Sequence, residues 1–380
     1  MENFTAYNPT KLHFGKDVIT GLGKAVAEYG NKVLLVYGGG SIKKNGIYDQ
    51  VMNQLNTAGT TVWEYKGIRP NPIIEDVDAA AELGRQHQVD VVLAVGGGSV
   101  IDSAKVISVM IPVDRPGWDF YKGHFKPRAA VPLIAVLTLA ATGTEMNPFA
   151  VVQNNATKQK LGNGHELMYP RHSFLDPQYT FSVPRDYTAY GIADLTAHCL
   201  EVYFGAGEAT LSDRFVFAIL QEAIENGPRL LNRLNDYELR ARIMYAATTA
   251  LNRMTTYGRK DGGDWAVHGI GHVLSLLYDI PHGATLSIVY LAWLRLQKDR
   301  IPERIAFLGK NVFGVATAEE TIKALESFFK TIECPISVSS YGIGADKKND
   351  ILEVMILNKV NGNHHELTAG DYSVLIDLFI

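Results

Sequence analysis

Cysteine is scarce: Cys199 and Cys334 are the only two in 380 residues. That is too few for a disulfide framework and fits a reducing cytoplasm, the expected location. No run of about 18 apolar residues occurs, so no membrane-spanning helix is expected. The opening stretch, Met1-Glu-Asn-Phe-Thr-Ala-Tyr-Asn-Pro-Thr, lacks the apolar centre of a secretory leader. There is no long basic block and the net charge is −4, which argues against a nucleic-acid partner. Internal repeats and low-complexity segments are absent too. What is present is a chain 47% hydrophobic and 20% charged, the composition of a globular protein rather than a disordered one. Its length suits about two domains, each with its own core.

The first half alternates strand and helix patterns. Leu12-His-Phe-Gly reads as an opening strand and Val18 to Tyr29 as a helix ended by Gly30. Lys32-Val-Leu-Leu-Val-Tyr37 is an unbroken apolar run, as expected of a strand buried on both faces. Gly38-Gly39-Gly40-Ser41 follows, and residues 42 to 55 return to helical spacing. Thr61 to Tyr65 reads as a strand and Glu75 to Gln88 as a helix. Asp90-Val-Val-Leu-Ala-Val95 repeats the buried-strand pattern, with Gly96-Gly97-Gly98-Ser99 and a helix from Val100 to Val109 behind it. Val131 to Leu137 is a further strand, in which Pro132 implies an edge position or a strand start. Repeated strand–glycine–helix units predict a parallel sheet with helices on both faces. Ligands of such sheets bind beyond the carboxyl ends of the strands, where the glycine turns fall.

After Pro184 the β pattern stops. Residues 212–234, 237–256, 283–297, 318–329 and 350–359 all read as helices, so residues 185–380 form an all-α domain behind an α/β domain of residues 1–184.

Two segments of the helical half carry metal-ligand chemistry. In Thr188-Ala-Tyr-Gly-Ile-Ala-Asp194-Leu-Thr-Ala-His198 the acid and the imidazole are four apart and share one helix face. An isolated pair of this kind is more often a simple hydrogen bond. A second segment, Trp265-Ala-Val-His268-Gly-Ile-Gly-His272 with Asp279-Ile-Pro-His282-Gly, changes the weighting by adding three histidines. Asp194, His198, His268 and His282 would make a three-nitrogen, one-oxygen set, which suits Fe(II) or Zn(II) and argues against Ca(II) or Mg(II).

A glycine turn between strand and helix lets backbone N–H groups approach a phosphate. One such turn also serves simply to reverse the chain; two Gly-Gly-Gly-Ser turns at equivalent places in one sheet suggest a dinucleotide laid across both. Neither turn is a hydrolase phosphate loop or the usual Gly-x-Gly-x-x-Gly fingerprint. Asp102 either stabilises its helix terminus or accepts a hydrogen bond from the cofactor.

Gly96-Gly-Gly-Ser-Val-Ile-Asp102, Thr138-Leu-Ala-Ala-Thr142-Gly143-Thr144-Glu145, Asp194-x-x-x-His198 and His268-Gly-x-Gly-His272 followed by Pro281-His282-Gly283 together resemble the iron-containing alcohol dehydrogenase family. The likeness runs over nearly the whole chain and is greatest to the butanol dehydrogenases and aldehyde reductases that use NADPH. It implies a dinucleotide-binding α/β domain joined to a helical metal-binding domain, as in dehydroquinate synthase. It also implies a small alcohol or aldehyde substrate, Fe(II) or Zn(II) in its place, and a homodimer. By the same resemblance Gly96, Gly97, Gly98 and Ser99 hold the cofactor diphosphate, Thr138, Thr142 and Thr144 lie near the nicotinamide, and Asp194, His198, His268 and His282 bind the metal. The family's usual Pro-Thr-Thr-Ala-Gly-Thr-Gly-Ser is Leu137-Thr-Leu-Ala-Ala-Thr-Gly-Thr here, and Ala141 in place of glycine narrows that turn.

His272, one helical turn from His268, is the candidate proton relay; the alternative is a histidine that supports the ligands or faces solvent. Lys160 could reach the cofactor or the substrate mouth, although a solvated loop lysine is the commoner case. NADP(H) is expected over NAD(H). Gly38, Gly39, Gly40 and Ser41 carry no carboxylate to repel a 2′-phosphate, and a helix start with Lys43 nearby favours an anion. The competing functions are a dehydroquinate-synthase-like lyase or glycerol-dehydrogenase-like enzyme, a metal-dependent hydrolase and a non-catalytic nucleotide binder. The lyase would need basic residues that the metal segments lack, and the hydrolase leaves both glycine turns without a purpose.

Overall fold

The apolar runs become the middle of a six-stranded parallel sheet. In the computed structural model, which describes all 380 residues, the strands are β1 (Lys11–Phe14), β2 (Lys32–Tyr37), β3 (Thr61–Lys66), β4 (Val91–Gly96), β5 (Leu133–Leu137) and, after a two-stranded antiparallel hairpin of β6 (Phe149–Asn154) and β7 (Gln159–Gly164), β8 (His172–Leu175). Their order is β1-β8-β5-β4-β2-β3, every neighbouring pair parallel. Val33, Leu35, Val91, Leu93, Ile134 and Val136 point into one core with Leu22, Val26, Val51 and Leu55. The alternate residues Leu34, Val36, Val92 and Ala94 are also fully buried. Burial on both faces is why these strands show no apolar–polar alternation.

Helices α1 (Leu22–Ala27), α2 (Ser41–Lys44), α3 (Ile47–Thr57), α4 (Ile74–Gln86), α5 (Gly98–Met110) and α6 (Trp118–Tyr121) complete this unit, which spans Tyr7–Val183. Three expectations need correction. The helix read over residues 42–55 is two helices, parted where Gly46 takes φ 79°, a left-handed conformation that glycine enters without steric cost. The helix read from Val18 is a single 3-10 turn followed by the short α1. Pro132 marks a strand start and not an edge, since β5 lies between β4 and β8. The chain runs from β2 outward to β3 and then returns to the other side of β2 for β4, so the sheet reverses its winding between β2 and β4. Both Gly-Gly-Gly-Ser turns follow these two strands and flank that switch point.

The second unit comprises Pro184–Ile380 together with Met1–Ala6. It is helical: α7 (Arg185–Tyr203), α8 (Thr210–Asn232), α9 (Tyr237–Ala250), α10 (Ala266–Tyr278), α11 (His282–Gln297), α12 (Pro302–Val312), α13 (Ala318–Thr331), α14 (Lys348–Leu357) and α15 (Ala369–Phe379). Helices α12 and α15 go beyond those read from the sequence. Helix α7 is buried almost all round from Thr188 onward, which places it in the middle of the unit. The N-terminal residues join it through Glu2, whose N–H donates to the Gly258 carbonyl, and through Phe4, whose ring stacks on Tyr257. No helix is long and apolar enough to cross a membrane.

Candidate metal centre and nucleotide turns

Asp194, His198 and Glu201 stand at positions i, i+4 and i+7 of α7 and therefore share one face. Asp194 Oδ1 is the point on which the centre converges. It lies 3.5 Å from His198 Nε2, 3.9 Å from His268 Nε2 and 3.7 Å from His282 Nε2. One donor atom each from Asp194, His268 and His282 lies within 4.8 Å of the others. These separations are too long for good hydrogen bonds. Ligands held ~2.1 Å from a tetrahedral centre stand about 3.4 Å apart, so the spacing fits a small divalent ion. Asp194 Oδ1 and His268 Nε2 are buried without a hydrogen-bond partner, a state that buried polar atoms avoid unless something else satisfies them. The donor set therefore fits a metal of the Fe(II) or Zn(II) type.

Local backbone explains how three helices deliver these side chains. Pro281 precedes α11, so His282 is its first residue. Gly283 then passes so close to α7 that a Cβ there would stand 2.0 Å from the Tyr190 carbonyl oxygen. At the start of α10, Trp265 adopts φ 71°, a left-handed conformation costly for a bulky side chain. The Glu201 carboxylate holds it: one oxygen accepts the Trp265 N–H at 2.7 Å and the other accepts the His268 N–H at 2.9 Å. That second oxygen also lies 2.9 Å from His268 Nδ1. Orienting a ligand histidine through its other ring nitrogen is the ordinary duty of such a carboxylate. The signal for Glu201 in the sequence is its i+7 spacing from Asp194, which puts it on the ligand face of α7.

The imidazoles respond differently to this setting. Burial drives His198 down to about 4, and the facing Asp194 carboxylate recovers only part of the loss. Burial works against charge on His268 as well, but Asp194 and Glu201 outweigh it and hold the ring at about 9. His268 alone has a second carboxylate behind it. His272 is half-buried on α10, its ring centroid 5.4 Å from that of His282 and 6.5 Å from that of His268.

In the α/β unit the turn after β4 is tightly packed. A Cβ on Gly96 would meet Val100 at 2.6 Å, and one on Gly98 would meet Thr142 at 2.7 Å. Asp102 and Thr144 have partners within the fold: Thr144 Oγ1 is 2.5 Å from Asp102 Oδ1, and Asp102 Oδ2 accepts the Val151 N–H at 2.9 Å. A fully buried Lys105 ammonium donates to Thr144 Oγ1, Asn147 Oδ1 and the Phe149 carbonyl; burial pulls it down to about 8 against the pull of Asp102 and Glu145. It braces the segment from Thr144 to Phe149, and a lone lysine in the apolar run of α5 was its trace in the sequence. Thr138 and Thr142 are half-buried. Lys160 is no solvated loop lysine: it lies buried on β7 and donates to Asn71 Oδ1 at 2.7 Å.

The turn after β2 is more open. A Cβ on Gly39 or Gly40 would meet nothing within 4 Å. The helix expected to lend its dipole to an anion is α2, only four residues long, so little of that field exists. The local positive charges are Lys43 and Lys44.

Residues 9–177 match the family described as iron-containing alcohol dehydrogenase, and residues 188–375 match the C-terminal part of the Fe-containing alcohol dehydrogenase family. The chain is 41% identical over 380 residues to the probable NADH-dependent butanol dehydrogenase 1 of Bacillus subtilis (strain 168), covering 98% of each. It is 34% identical over 380 residues to the NADPH-dependent aldehyde reductase YqhD of Escherichia coli (strain K12), covering 97% of each. Among solved structures it is similar to NADH-dependent butanol dehydrogenase A of Thermotoga maritima, with a TM-score of 0.96, 37% identity and coverage of 100% of this chain and 99% of that one.

Proposed function

The chain belongs to the iron-containing alcohol dehydrogenase family, and from that premise we propose that it interconverts a small primary alcohol, such as butanol, and its aldehyde with a nicotinamide dinucleotide. In the reducing direction the carbonyl carbon gains a hydride and the oxygen gains a proton. The observation that carries the reading is the convergence of His198, His268 and His282 on Asp194 Oδ1 within 3.9 Å.

Asp194, His198, His268 and His282 would hold Fe(II), or Zn(II) in its place, which supplies a Lewis acid for the alcohol or carbonyl oxygen. Hydride transfer is the chemistry of the nicotinamide. The chain's own contribution is placement. Glu201 fixes the His268 ring and the backbone at the start of α10. Gly283 lets α11 approach α7 closely enough for His282 to face Asp194. His272, one helical turn from His268, moves the proton to or from the substrate oxygen. The turns Gly38–Ser41 and Gly96–Ser99 flank the sheet's switch point and take the adenosine end and the diphosphate, respectively. NADPH is preferred over NADH because no carboxylate stands in the turn after β2 and Lys43 follows it.

Metal analysis of the purified protein, run beside NADPH and NADH oxidation with short aldehydes, tests this reading. Bound iron or zinc with net oxidation of the nucleotide is the expected result. Nucleotide binding without metal or turnover would overturn it.

A further inference from the structure

Lys43 does not stand alone. Its ammonium lies 3.5 Å from Glu64 Oε2, with Glu64 reaching across from β3, and rests over the Tyr48 ring at 4.2 Å and the Tyr37 ring at 5.2 Å. Both oxygens of Glu64 are also capped, Oε2 by the Tyr37 hydroxyl and Oε1 by the Tyr48 hydroxyl, each at 2.6 Å. Burial would lift the Glu64 carboxyl, but the two hydroxyls and Lys43 outweigh it and hold it below its usual range, so it is ionised at neutral pH. Tyr37 ends β2, the strand on one side of the switch point, and Lys43 sits in the helix after its glycine turn. The cluster is thus one positive and one negative charge beside the turn assigned to the adenosine end of the cofactor.

We propose that Glu64 sets how strongly the protein distinguishes NADP(H) from NAD(H), acting through Lys43. This rests on the dehydrogenase reading above. Each Glu64 oxygen already accepts from a tyrosine hydroxyl, which engages part of its acceptor capacity. Its influence is electrostatic. It offsets the Lys43 charge that a 2′-phosphate would meet, and the aromatic rings hold the ammonium in reach of that carboxylate. NAD(H) carries a hydroxyl in place of the phosphate and does not sense the offset. Glu64 is therefore a positioning residue that blunts the preference, and Lys43 is the residue through which the preference is exerted.

The test is nucleotide binding by the full chain, measured by tryptophan fluorescence or calorimetry with NADP+ and NAD+ separately, at low salt. Glu64→Gln keeps the shape and removes the charge. It is expected to tighten NADP+ by roughly three- to tenfold while moving NAD+ by less than about twofold. Lys43→Met is expected to weaken NADP+ selectively and to abolish the effect of Glu64→Gln in the double variant. A merely structural role for Glu64 would shift both nucleotides together, and that result overturns the proposal. So does selective weakening of NADP+ by Glu64→Gln, or persistence of its effect without Lys43. If the unmodified protein binds neither nucleotide, the dehydrogenase reading falls and this one with it. If it binds both and Glu64→Gln leaves their ratio in place, only this one falls.

Discussion

The Glu201 carboxylate bonds to His268 twice, through the ring Nδ1 and the backbone N–H, both at 2.9 Å. A third bond, from the Trp265 N–H, uses its other oxygen. Glu201→Gln would turn an amide N–H toward one of these donors. Metal affinity should fall about 10- to 100-fold, as when a ligand histidine loses its supporting carboxylate. Competition with a coloured chelator measures this directly, and unaltered affinity would deny Glu201 its orienting part.

His268→Ala and His282→Ala should each lose both bound metal and turnover. Nucleotide binding should survive, because the glycine turns belong to the other unit. Full metal content in both variants would sink the ligand assignment.

His272→Ala should retain its metal. If His272 moves the proton, the rate falls at least about tenfold and its pH dependence changes. Loss of metal would make it a ligand instead, and a slower enzyme with the same pH profile would leave it structural.

Gly283→Ala puts a methyl carbon 2.0 Å from the Tyr190 carbonyl oxygen, so α11 or α7 must shift. The expected cost is on the order of 2–4 kcal/mol of stability, with His282 drawn away from Asp194. A variant of normal melting temperature and full metal content would show that the close approach does not hold the centre together.

NADPH should be used over NADH by at least about tenfold in kcat/KM, a difference of about 1.4 kcal/mol. Gly39→Asp should weaken or reverse that preference. Space is available for the new side chain, since a Cβ at Gly39 meets nothing within 4 Å, so the change reports charge and not crowding. Equal use of both nucleotides by the unmodified protein would contradict the reading of this turn.

The parallel sheet was legible because β2 and β4 are buried on both faces and so appear as unbroken apolar runs. Of the long helices, α8 and α13 showed through their periodicity. The hairpin β6–β7 did not, because Gln159-Lys-Leu-Gly-Asn-Gly is polar, glycine-rich and short. Strand β8 is only four residues long and carries His172, which left little pattern to detect. Of the centre, the histidines and Asp194 stood out as residue types that bind metals. Glu201 did not, because a helix glutamate is ordinarily a solvent-facing charge, and only the fold shows that this one is buried. Lys43 was visible, but its tether to Glu64 depends on two neighbouring strands whose pairing is not written in either segment alone.

The first six residues keep company with the helical unit while Tyr7–Val183 form the other. In connectivity the helical unit is thus discontinuous: residues 1–6 pack with Pro184–Ile380, and Tyr7–Val183 lies between them in sequence. Cutting at that proline would part residues 1–6 from the helical unit they pack on. The C-terminal fragment would leave the Gly258 carbonyl and the Tyr257 ring without Glu2 and Phe4, and the N-terminal fragment would carry those two residues away from their partners.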